Sequence, residues 1–279
     1  MSSNKTKSLN DRVAWITGSS RGIGKAIAEH FASRGAKVVI HGSRLDSPSV
    51  FGEGESLAAN AEDIEKEYGV SCIAVTGDLT DYTIVQNIVT EIDEKIGPID
   101  ILVNCAGGDI GTKGVQAELA GKPEGNNALS ISVEDINIVM DRNFLTCVLC
   151  CKAVVPGMMK RKYGKVVNIG SIAALTGISG STIYASAKAA VHEYSRCLAV
   201  QLRPYDITVN VVAPGDTVTE RFLASRKTEN ARKVQSGTLD RYGWPMEIAA
   251  AVEFLSSDAS SFVSGEVIRV DGGSQCWPS

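Results

Sequence analysis

The sequence has no long hydrophobic run, no excess of basic charge and no even set of cysteines. Every apolar stretch is shorter than the roughly 18–20 residues that a membrane-spanning helix needs. The segment Met1–Asn10 is polar, so we expect neither a membrane span nor a secretory leader. The formal net charge of −4 gives no global positive field for nucleic acid or an anionic membrane. We therefore expect neither partner, and any acidic substrate must be met by local basic residues.

The seven cysteines form no recognisable disulfide or metal-binding pattern. Three of them, Cys147, Cys150 and Cys151, lie in one apolar stretch. A metal site would need a second ligand cluster, and the sequence contains none, so we expect core thiols and no metal. Free thiols are typical of a reducing compartment, and the cytoplasm is the expected location.

Apolar segments of strand length alternate with segments of helical spacing along the whole chain. The predicted strands are Val13–Thr17, Lys37–His41, Ser71–Thr76, Ile101–Asn104, Lys165–Ile169, Thr208–Val212 and Glu266–Val270. The predicted helices are Ile23–Ser33, Ser56–Tyr68, Asp81–Ile96, Ser132–Lys160, Thr182–Leu202 and Pro245–Ser256. Because the strands are almost entirely apolar, they indicate a parallel sheet covered by helices on both faces. No linker interrupts the pattern, so we expect a single α/β domain over residues 1–279, with longer loops at 42–55 and 108–131.

The loop 108–131 leaves the C-terminal end of the fourth predicted strand, where parallel sheets bind their ligands. We therefore expect it to border a substrate pocket; a surface insertion or a subunit contact remains the alternative. Its glycines would permit a mobile lid: Gly108, Gly111, Gly114, Gly121 and Gly125. Its charged residues favour a small polar substrate, such as a sugar acid or a polyol: Asp109, Lys113, Glu118, Lys122 and Glu124.

A glycine-rich turn, Thr17-Gly18-Ser19-Ser20-Arg21-Gly22-Ile23-Gly24, joins the first predicted strand to the first predicted helix. Glycines in this position let a pyrophosphate approach backbone N–H groups at a helix N-terminus. The turn resembles the cofactor turn of the short-chain dehydrogenase/reductase family. Further motifs of that family follow in order over residues 8–273: Asp78-Leu79, Asn104-Cys105-Ala106-Gly107 (with Cys in the second place of N-N-A-G), Asn143, Ser171, Tyr184 with Lys188, Pro214-Gly215, Thr217 and Thr219.

Tyr184 and Lys188 are four residues apart and share a helix face. A nearby ammonium favours the ionised phenol, so this pair can exchange a proton with an alcohol or carbonyl oxygen near neutral pH. The resemblance implies that Tyr184 is the general acid/base and that Ser171 polarises the substrate oxygen. It also implies that Lys188 holds the cofactor ribose and that Asn143 supports a water chain. His192, one turn after Lys188, is interpreted as a packing or subunit-contact residue.

The resemblance further implies a Rossmann-type doubly wound fold, a nicotinamide cofactor and a homotetramer formed through the helices Ser132–Lys160 and Thr182–Leu202. The cofactor-binding residues that it implies are Gly18, Ser20, Arg21, Gly22, Ile23, Gly24, Ser43, Arg44, Asp78, Leu79, Asn104, Ala106, Gly107, Tyr184, Lys188, Pro214, Gly215, Thr217 and Thr219.

The cofactor is predicted to be NADP(H), because the end of the second predicted strand carries no acid. Gly42 occupies the place of the carboxylate that binds the ribose hydroxyls of NAD(H). Ser43, Arg44 and Arg21 could bind a 2′-phosphate instead. NAD(H) remains possible, because a folded-back loop could supply a carboxylate from Asp46, Glu53 or Glu55.

The expected activity is hydride transfer between a secondary alcohol and a ketone. Sugar-nucleotide epimerases of the family carry G-x-x-G-x-x-G, which is absent here, and its enoyl reductases space Tyr and Lys by seven, where this chain has Val191. A non-catalytic dinucleotide-binding regulator is the alternative, although the residues Ser171, Tyr184 and Lys188 are intact. The substrate stays open among polyols, sugar acids and 3-oxoacyl compounds.

Overall fold

A seven-stranded parallel sheet organises the computed structural model, which describes residues 7–276. The strands are β1 (Val13–Ile16), β2 (Lys37–Gly42), β3 (Cys72–Thr76), β4 (Ile101–Asn104), β5 (Gly164–Ile169), β6 (Ile207–Pro214) and β7 (Val267–Val270). Their order is β3-β2-β1-β4-β5-β6-β7, and every neighbouring pair is parallel. The predicted doubly wound sheet is confirmed. The ends of the predicted domain, residues 1–6 and 277–279, lie outside the described residues.

Helices connect the strands, and five of the six predicted helices are found with their boundaries shifted by at most one residue, whereas the sixth, Ser132–Lys160, is divided in two. They are α1 (Gly22–Ser33), α2 (Leu57–Tyr68), α3 (Tyr82–Lys95), α4 (Glu118–Gly121), α5 (Val133–Met140), α6 (Thr146–Arg161), α7 (Thr182–Leu202), α8 (Glu220–Ala224) and α9 (Pro245–Ser256). The short helices α4 and α8 were not predicted. None of the helices between residues 7 and 276 is both long enough and apolar enough to cross a membrane.

Two hydrophobic cores fill the two faces of the sheet. On one face, α1, α2 and α9 pack through residues such as Phe31, Leu57 and Val252 against alternate strand positions such as Ile16. On the other face, α3, α6 and α7 pack through residues such as Ile92, Met158 and Leu202 against Trp15 and its neighbours. The strands are therefore buried on both sides, as their continuous apolar runs predicted.

The direction of winding reverses between β1 and β4, which are neighbours in the sheet. The connection after β1 runs toward β2 and β3, whereas the connection after β4 runs toward β5, β6 and β7. The loops that follow β1 and β4 therefore diverge and leave a crevice at the C-terminal edge of the strands. Ligands of open parallel sheets bind in such a crevice.

The prediction of one continuous helix over Ser132–Lys160 needs correction. Ser132 caps the start as predicted, its Oγ accepting from the Asp135 N–H at 3.1 Å, but a π-helical turn at Asp141–Leu145 separates α5 from α6. In this turn the Asn143 side chain donates to the Val139 carbonyl at 2.8 Å, while the Thr146 N–H bonds to Asp141, five residues back. The extra residue per turn thus directs Asn143 toward the end of β4.

The loop 108–131 is anchored at several points. The Asp109 carboxylate accepts from Ser181 Oγ at 2.7 Å, and Asp135 accepts from the Thr112 N–H at 2.7 Å. Close packing accounts for three of its glycines, because a Cβ would lie 2.3 Å from Asp135 at Gly111, 2.3 Å from the backbone at Gly121 and 2.7 Å from the backbone at Gly125. These three glycines fit the loop to its neighbours, and the mobile lid stays a prediction.

Candidate active site

The glycine-rich turn after β1 packs tightly against the segment that follows β4. Gly18 has φ +65°, and a Cβ there would lie 2.7 Å from the Cα atom of Ala106. A Cβ at Gly24 would lie 2.4 Å from the Gly18 carbonyl. Only glycine allows both approaches without movement of the backbone. The glycine-rich turn and the segment after β4 therefore lie in direct contact at the base of the crevice between β1 and β4.

The side chains of Thr17, directly after β1, and His41, in β2, hold these two segments in place. Thr17 Oγ1 accepts the N–H groups of Cys105 and Ala106, each at 3.0 Å. His41 Nδ1 accepts the Gly18 N–H at 3.1 Å, and its Nε2 lies 3.1 Å from the Gly77 carbonyl. Burial lowers the pKa of His41 to about 4, so the neutral ring bridges the turn to the end of β3 at physiological pH.

The first turn of α1 presents free donors to the crevice. No acceptor in the described part of the chain meets the N–H groups of Ile23 and Gly24. The Gly22 N–H is bonded to Glu53, whose carboxylate lies at 2.6 Å. Free N–H groups at the positive end of a helix suit an anionic group. The turn therefore fits the pyrophosphate of a dinucleotide.

One cleft of about 880 Å³ joins this turn to the ends of β4, β5 and β6. Most of the predicted cofactor-binding residues line it: Gly18, Ser20, Arg21, Gly22, Ile23, Gly24, Ser43, Asp78, Leu79, Ala106, Gly107, Tyr184, Lys188, Pro214, Gly215, Thr217 and Thr219. Two predicted residues lie elsewhere. Arg44 pairs with Asp46 at 3.0 Å on the exposed side of the loop, and buried Asn104 donates to Asn168 Oδ1 at 2.8 Å.

Three of the four predicted catalytic residues line the same cleft, namely Ser171, Tyr184 and Lys188. Lys188 is buried, its Nζ donates to the Ile169 carbonyl at 2.8 Å, and it lies 5.9 Å from the centre of the Tyr184 ring. Ser171 Oγ accepts the Ala173 N–H at 3.1 Å, and no protein acceptor for its own proton occurs among the described residues. The hydroxyl of Ser171 is therefore able to donate to a ligand.

His192 lies directly behind Ser171. Its Nε2 is 3.4 Å from the Ser171 N–H, and a Cβ at Gly170 would come within 2.1 Å of the same nitrogen. Burial and the Lys188 charge lower the pKa of His192 to about 4, so the ring is neutral and able to accept. The predicted packing role of His192 agrees with this placement.

The fourth predicted catalytic residue, Asn143, is buried behind the cleft wall. Its Oδ1 accepts the Gly108 N–H at 2.8 Å, and its Nδ2 donates to the Gly108 carbonyl at 3.0 Å. A Cβ at Gly107 would lie 2.6 Å from Asn143 Oδ1 and 3.4 Å from Lys188 Nζ. Asn143 thus fixes the start of the loop 108–131 beside Lys188.

The sequence reasoning missed several residues of this cleft. Arg221, on α8, donates to the Asp109 carbonyl at 2.7 Å, and Arg142 enters from the π-helical turn. Neither belongs to a recognisable motif, so only the folded chain reveals them. Cys105 also lines the cleft, but burial raises the pKa of its thiol to about 11, which keeps it protonated.

Comparison with known proteins agrees with this geometry. The family model described as Enoyl-(Acyl carrier protein) reductase matches residues 18–275. The chain is 35% identical over 270 residues to cyclohexanol dehydrogenase of Rhodococcus sp. (strain TK6), covering 95% of this chain and 96% of that protein. It is 32% identical over 263 residues to 3-oxoacyl-[acyl-carrier-protein] reductase of Escherichia coli (strain K12), covering 94% and 96%.

Two solved structures are similar over nearly their whole length. A putative gluconate dehydrogenase from Agrobacterium tumefaciens has a TM-score of 0.80 at 28% identity, covering 96% of this chain and 97% of that chain. A 7α-hydroxysteroid dehydrogenase complexed with NADH and 7-oxo glycochenodeoxycholic acid has a TM-score of 0.80 at 31% identity, covering 98% of each chain. The chain therefore belongs to the short-chain dehydrogenase/reductase family and is an NAD(P)(H)-dependent oxidoreductase of alcohols and ketones.

Proposed function

We propose that the protein interconverts a secondary alcohol and a ketone with NADP(H), using Tyr184 as the general acid/base. One observation carries the proposal. Ser171, Tyr184 and Lys188 line the same cleft as the phosphate-binding turn, although they come from different parts of the chain. When bound, the nicotinamide supplies or accepts the hydride, and the protein contributes position and charge.

Each residue has a distinct role in this proposal. Ser171 donates its free proton to the substrate oxygen and polarises it. Tyr184 gives a proton to that oxygen during reduction and removes it during oxidation. Lys188 donates one N–H to the Ile169 carbonyl, and its other two N–H groups are available to the ribose hydroxyls of the cofactor.

Asn143 acts as a positioning residue in the proposed mechanism. Its amide already bonds to both polar groups of the Gly108 backbone and to the Val139 carbonyl. Both Nδ2 hydrogens are used by these carbonyls, whereas Oδ1 accepts only the Gly108 N–H and keeps a lone pair for a water of the predicted chain. We propose that Asn143 holds the Gly107–Gly108 segment beside Lys188.

The proposed preference for NADP(H) is supported by three features of the adenosine end. Gly42, at the end of β2, carries no side chain to repel a 2′-phosphate, while Ser43 and Arg21 line the cleft there. Arg44 contributes less than predicted, because it pairs with Asp46. Glu53 opposes the preference, because its carboxylate lies on the Gly22 N–H in the same region.

Glu53→Gln tests this balance. Loss of the carboxylate should raise the ratio of kcat/KM for NADPH to that for NADH by about 3- to 10-fold, the scale of one charge at several ångströms in a partly solvated cleft. Binding of 2′,5′-ADP should tighten relative to 5′-AMP. Glu55→Gln removes the same charge from an exposed position two residues away and should leave both ratios unchanged. A wild-type preference for NADH would contradict the proposed cofactor.

A panel of ketones, diketones, oxoesters, sugars and polyols with both reduced and oxidised cofactors tests the reaction itself. Turnover of at least one ketone–alcohol pair is expected. Reduction of enoyl compounds is not expected, since Tyr184 and Lys188 have the spacing of the ketone-reducing members. The absence of turnover across the panel, with cofactor binding intact, would instead favour a dinucleotide-binding regulator.

We also propose a homotetramer in a reducing compartment. Val133 on α5 and Val200 on α7 are exposed on the helices expected to form subunit contacts, and Phe262, before β7, is fully exposed. Pairing of such surfaces would bury apolar area that a monomer leaves in water. All seven cysteines are free thiols, in keeping with the cytoplasm. Light scattering should give four times the chain mass of 29.5 kDa; the mass of one chain would contradict the assembly.

A further inference from the structure

Basic side chains from the loop 108–131 and from residues 221–241 reach the cleft. Five of them line it: Lys122, Arg221, Arg226, Arg232 and Arg241. Three are paired with carboxylates: Arg226 with Asp216 at 2.9 Å, Arg232 with Asp240 at 3.9 Å and Arg241 with Glu247. The charges of Arg221 and Lys122 remain to be accounted for.

Arg221 is held in place by backbone atoms. Its Nη2 donates to the Asp109 carbonyl at 2.7 Å, and its guanidinium lies beside Gly108. No acceptor for Nη1 occurs within residues 7–276. Arg221 is therefore a fixed cation with donors to spare.

The nearest carboxylate does not neutralise Arg221. Asp109 turns its Oδ2 toward Ser181 Oγ, at 2.7 Å, and Asn126 Nδ2, at 2.8 Å. In the described chain, no carboxylate lies within 4.0 Å of the Arg221 guanidinium nitrogens. Burial lowers the pKa of Arg221 to about 10, a loss that the nearby Tyr184 and Asp109 partly offset. The group is thus cationic at neutral pH.

Lys122 comes from the loop 108–131 and is half-buried in the same wall, with no ion pair in the described part of the chain. Burial and the charges of Arg226 and Arg221 lower its pKa. Two unpaired cations, Arg221 and Lys122, face one buried carboxylate, Asp109. The net charge of one positive unit matches a monoanion better than a phosphate dianion.

We propose that the substrate carries a carboxylate that binds Arg221 and Lys122 while its carbonyl or hydroxyl group reacts at Tyr184. The substrate class is then an oxo acid and its hydroxy acid. This inference rests on the proposed function and narrows it, since a planar guanidinium fixes a carboxylate through charge-assisted hydrogen bonds. It also gives the loop 108–131 a role, because Lys122 and the Asp109 carbonyl both belong to it.

Pairs of oxo acids and their methyl esters test the proposal with the wild-type protein. A series with two to five carbons between carbonyl and carboxylate covers the unknown spacing. For at least one spacing, kcat/KM for the acid should exceed that for the ester by roughly 10- to 100-fold, the scale of one charge-assisted hydrogen bond. Equal or better turnover of every ester would overturn the proposal and leave the proposed oxidoreductase function standing. Turnover of neither class, with another ketone of the wider panel reduced, would also overturn the proposal; no turnover of any compound in either set would contradict the function itself.

Substitutions assign the effect to Arg221. Arg221→Gln should lower the acid-to-ester ratio at least about tenfold, and Arg221→Lys, which keeps the charge, should recover part of it. Arg34→Gln removes an arginine that pairs with Glu253 outside the cleft and should leave the ratio unchanged. If Arg221→Gln kept the wild-type ratio, the assignment would fail.

Binding without reaction gives an independent readout. The protein saturated with oxidised cofactor should bind a saturated monocarboxylate of the preferred length more tightly than its methyl ester, and Arg221→Gln should remove the difference. Equal affinities in the wild type would overturn the proposal. Hydroxyacetone phosphate serves as the dianion: a preference for it over every oxo acid would contradict a carboxylate site.

Discussion

At the scale of single residues, Ser171 shows how the fold prepares a donor. Its Oγ accepts the Ala173 N–H, and its backbone N–H donates to His192 Nε2. The hydroxyl proton alone is left for the substrate oxygen. His192 can accept only while neutral, and its burial keeps it so.

Ser171→Ala should therefore lower kcat by roughly 10²–10³-fold, the scale for loss of one donor to a developing oxyanion. Cofactor affinity should stay the same, because Ser171 has no part in the phosphate turn. Ser186→Ala is the matched control, since Ser186 is exposed on the same helix as Tyr184. A fall in kcat of less than a few-fold would contradict the role of Ser171. Steady-state kinetics and cofactor titration supply both readouts.

The sequence alone identified catalytic residues that form a motif with a fixed spacing. It missed residues that reach the cleft only in the folded chain. Tyr184 and Lys188 are recognisable because a helix places residues four apart on one face. Arg221 belongs to no motif, and it reaches the cleft only because α8 lies against the loop 108–131. Arg44 was predicted to bind the cofactor, but the adjacent Asp46 offers it a nearer partner.

At the scale of elements, the junction of β1 and α1 depends on glycines for contact distance. Gly24 faces the Gly18 carbonyl so closely that a methyl group would lie 2.4 Å from it. Backbone surrounds the site, so no flexible side chain can move aside. The free N–H groups of the first turn of α1 point into the crevice only if Gly24 stays this close to the Gly18 carbonyl.

Gly24→Ala should weaken cofactor binding and lower the free energy of unfolding by about 1–3 kcal/mol, the usual cost of overpacking. Gly157→Ala is the control, because a Cβ in that helical position would meet only the flexible end of Arg161, at 3.4 Å. Cofactor titration and urea denaturation measure the two effects. A Gly24→Ala protein with wild-type cofactor affinity would show that the tight turn is unnecessary.

Strands and long helices were predictable because apolar periodicity fixes them, whereas local irregularities were not. The π-helical turn at Asp141–Leu145 depends on hydrogen bonds between Asn143 and the distant Gly108. In α4, Leu119 and Ala120 adopt left-handed backbone angles with φ of 51° and 52°, which these residues do not favour by themselves. Both features arise from tertiary contacts that no local pattern encodes.

At the scale of the whole molecule, two buried histidines link stability to pH. Burial lowers the pKa values of His41 and His192 to about 4, whereas a histidine in the unfolded chain titrates near 6.5. Between these values the unfolded chain binds more protons than the native one. The free energy of unfolding should therefore fall as the pH drops from about 6.5 to about 4.

The expected loss reaches up to ~3 kcal/mol for each histidine over that range. Urea denaturation at pH 7, 6 and 5 measures it, in a range where carboxylates are still largely ionised. His192→Asn should flatten the profile by its own share. A free energy of unfolding that stays constant from pH 7 to pH 5 would show that neither ring is held neutral by the fold.

The central claim for the whole molecule is that one cleft brings a bound cofactor and the Tyr184 proton donor to the same substrate oxygen. Tyr184→Phe tests it most directly, because only the phenolic oxygen is removed. Turnover should fall by about 10²–10⁴-fold or more, while cofactor titration shows unchanged affinity. Tyr205→Phe, outside the cleft, should behave as wild type. Turnover near the wild-type level in Tyr184→Phe would contradict the account.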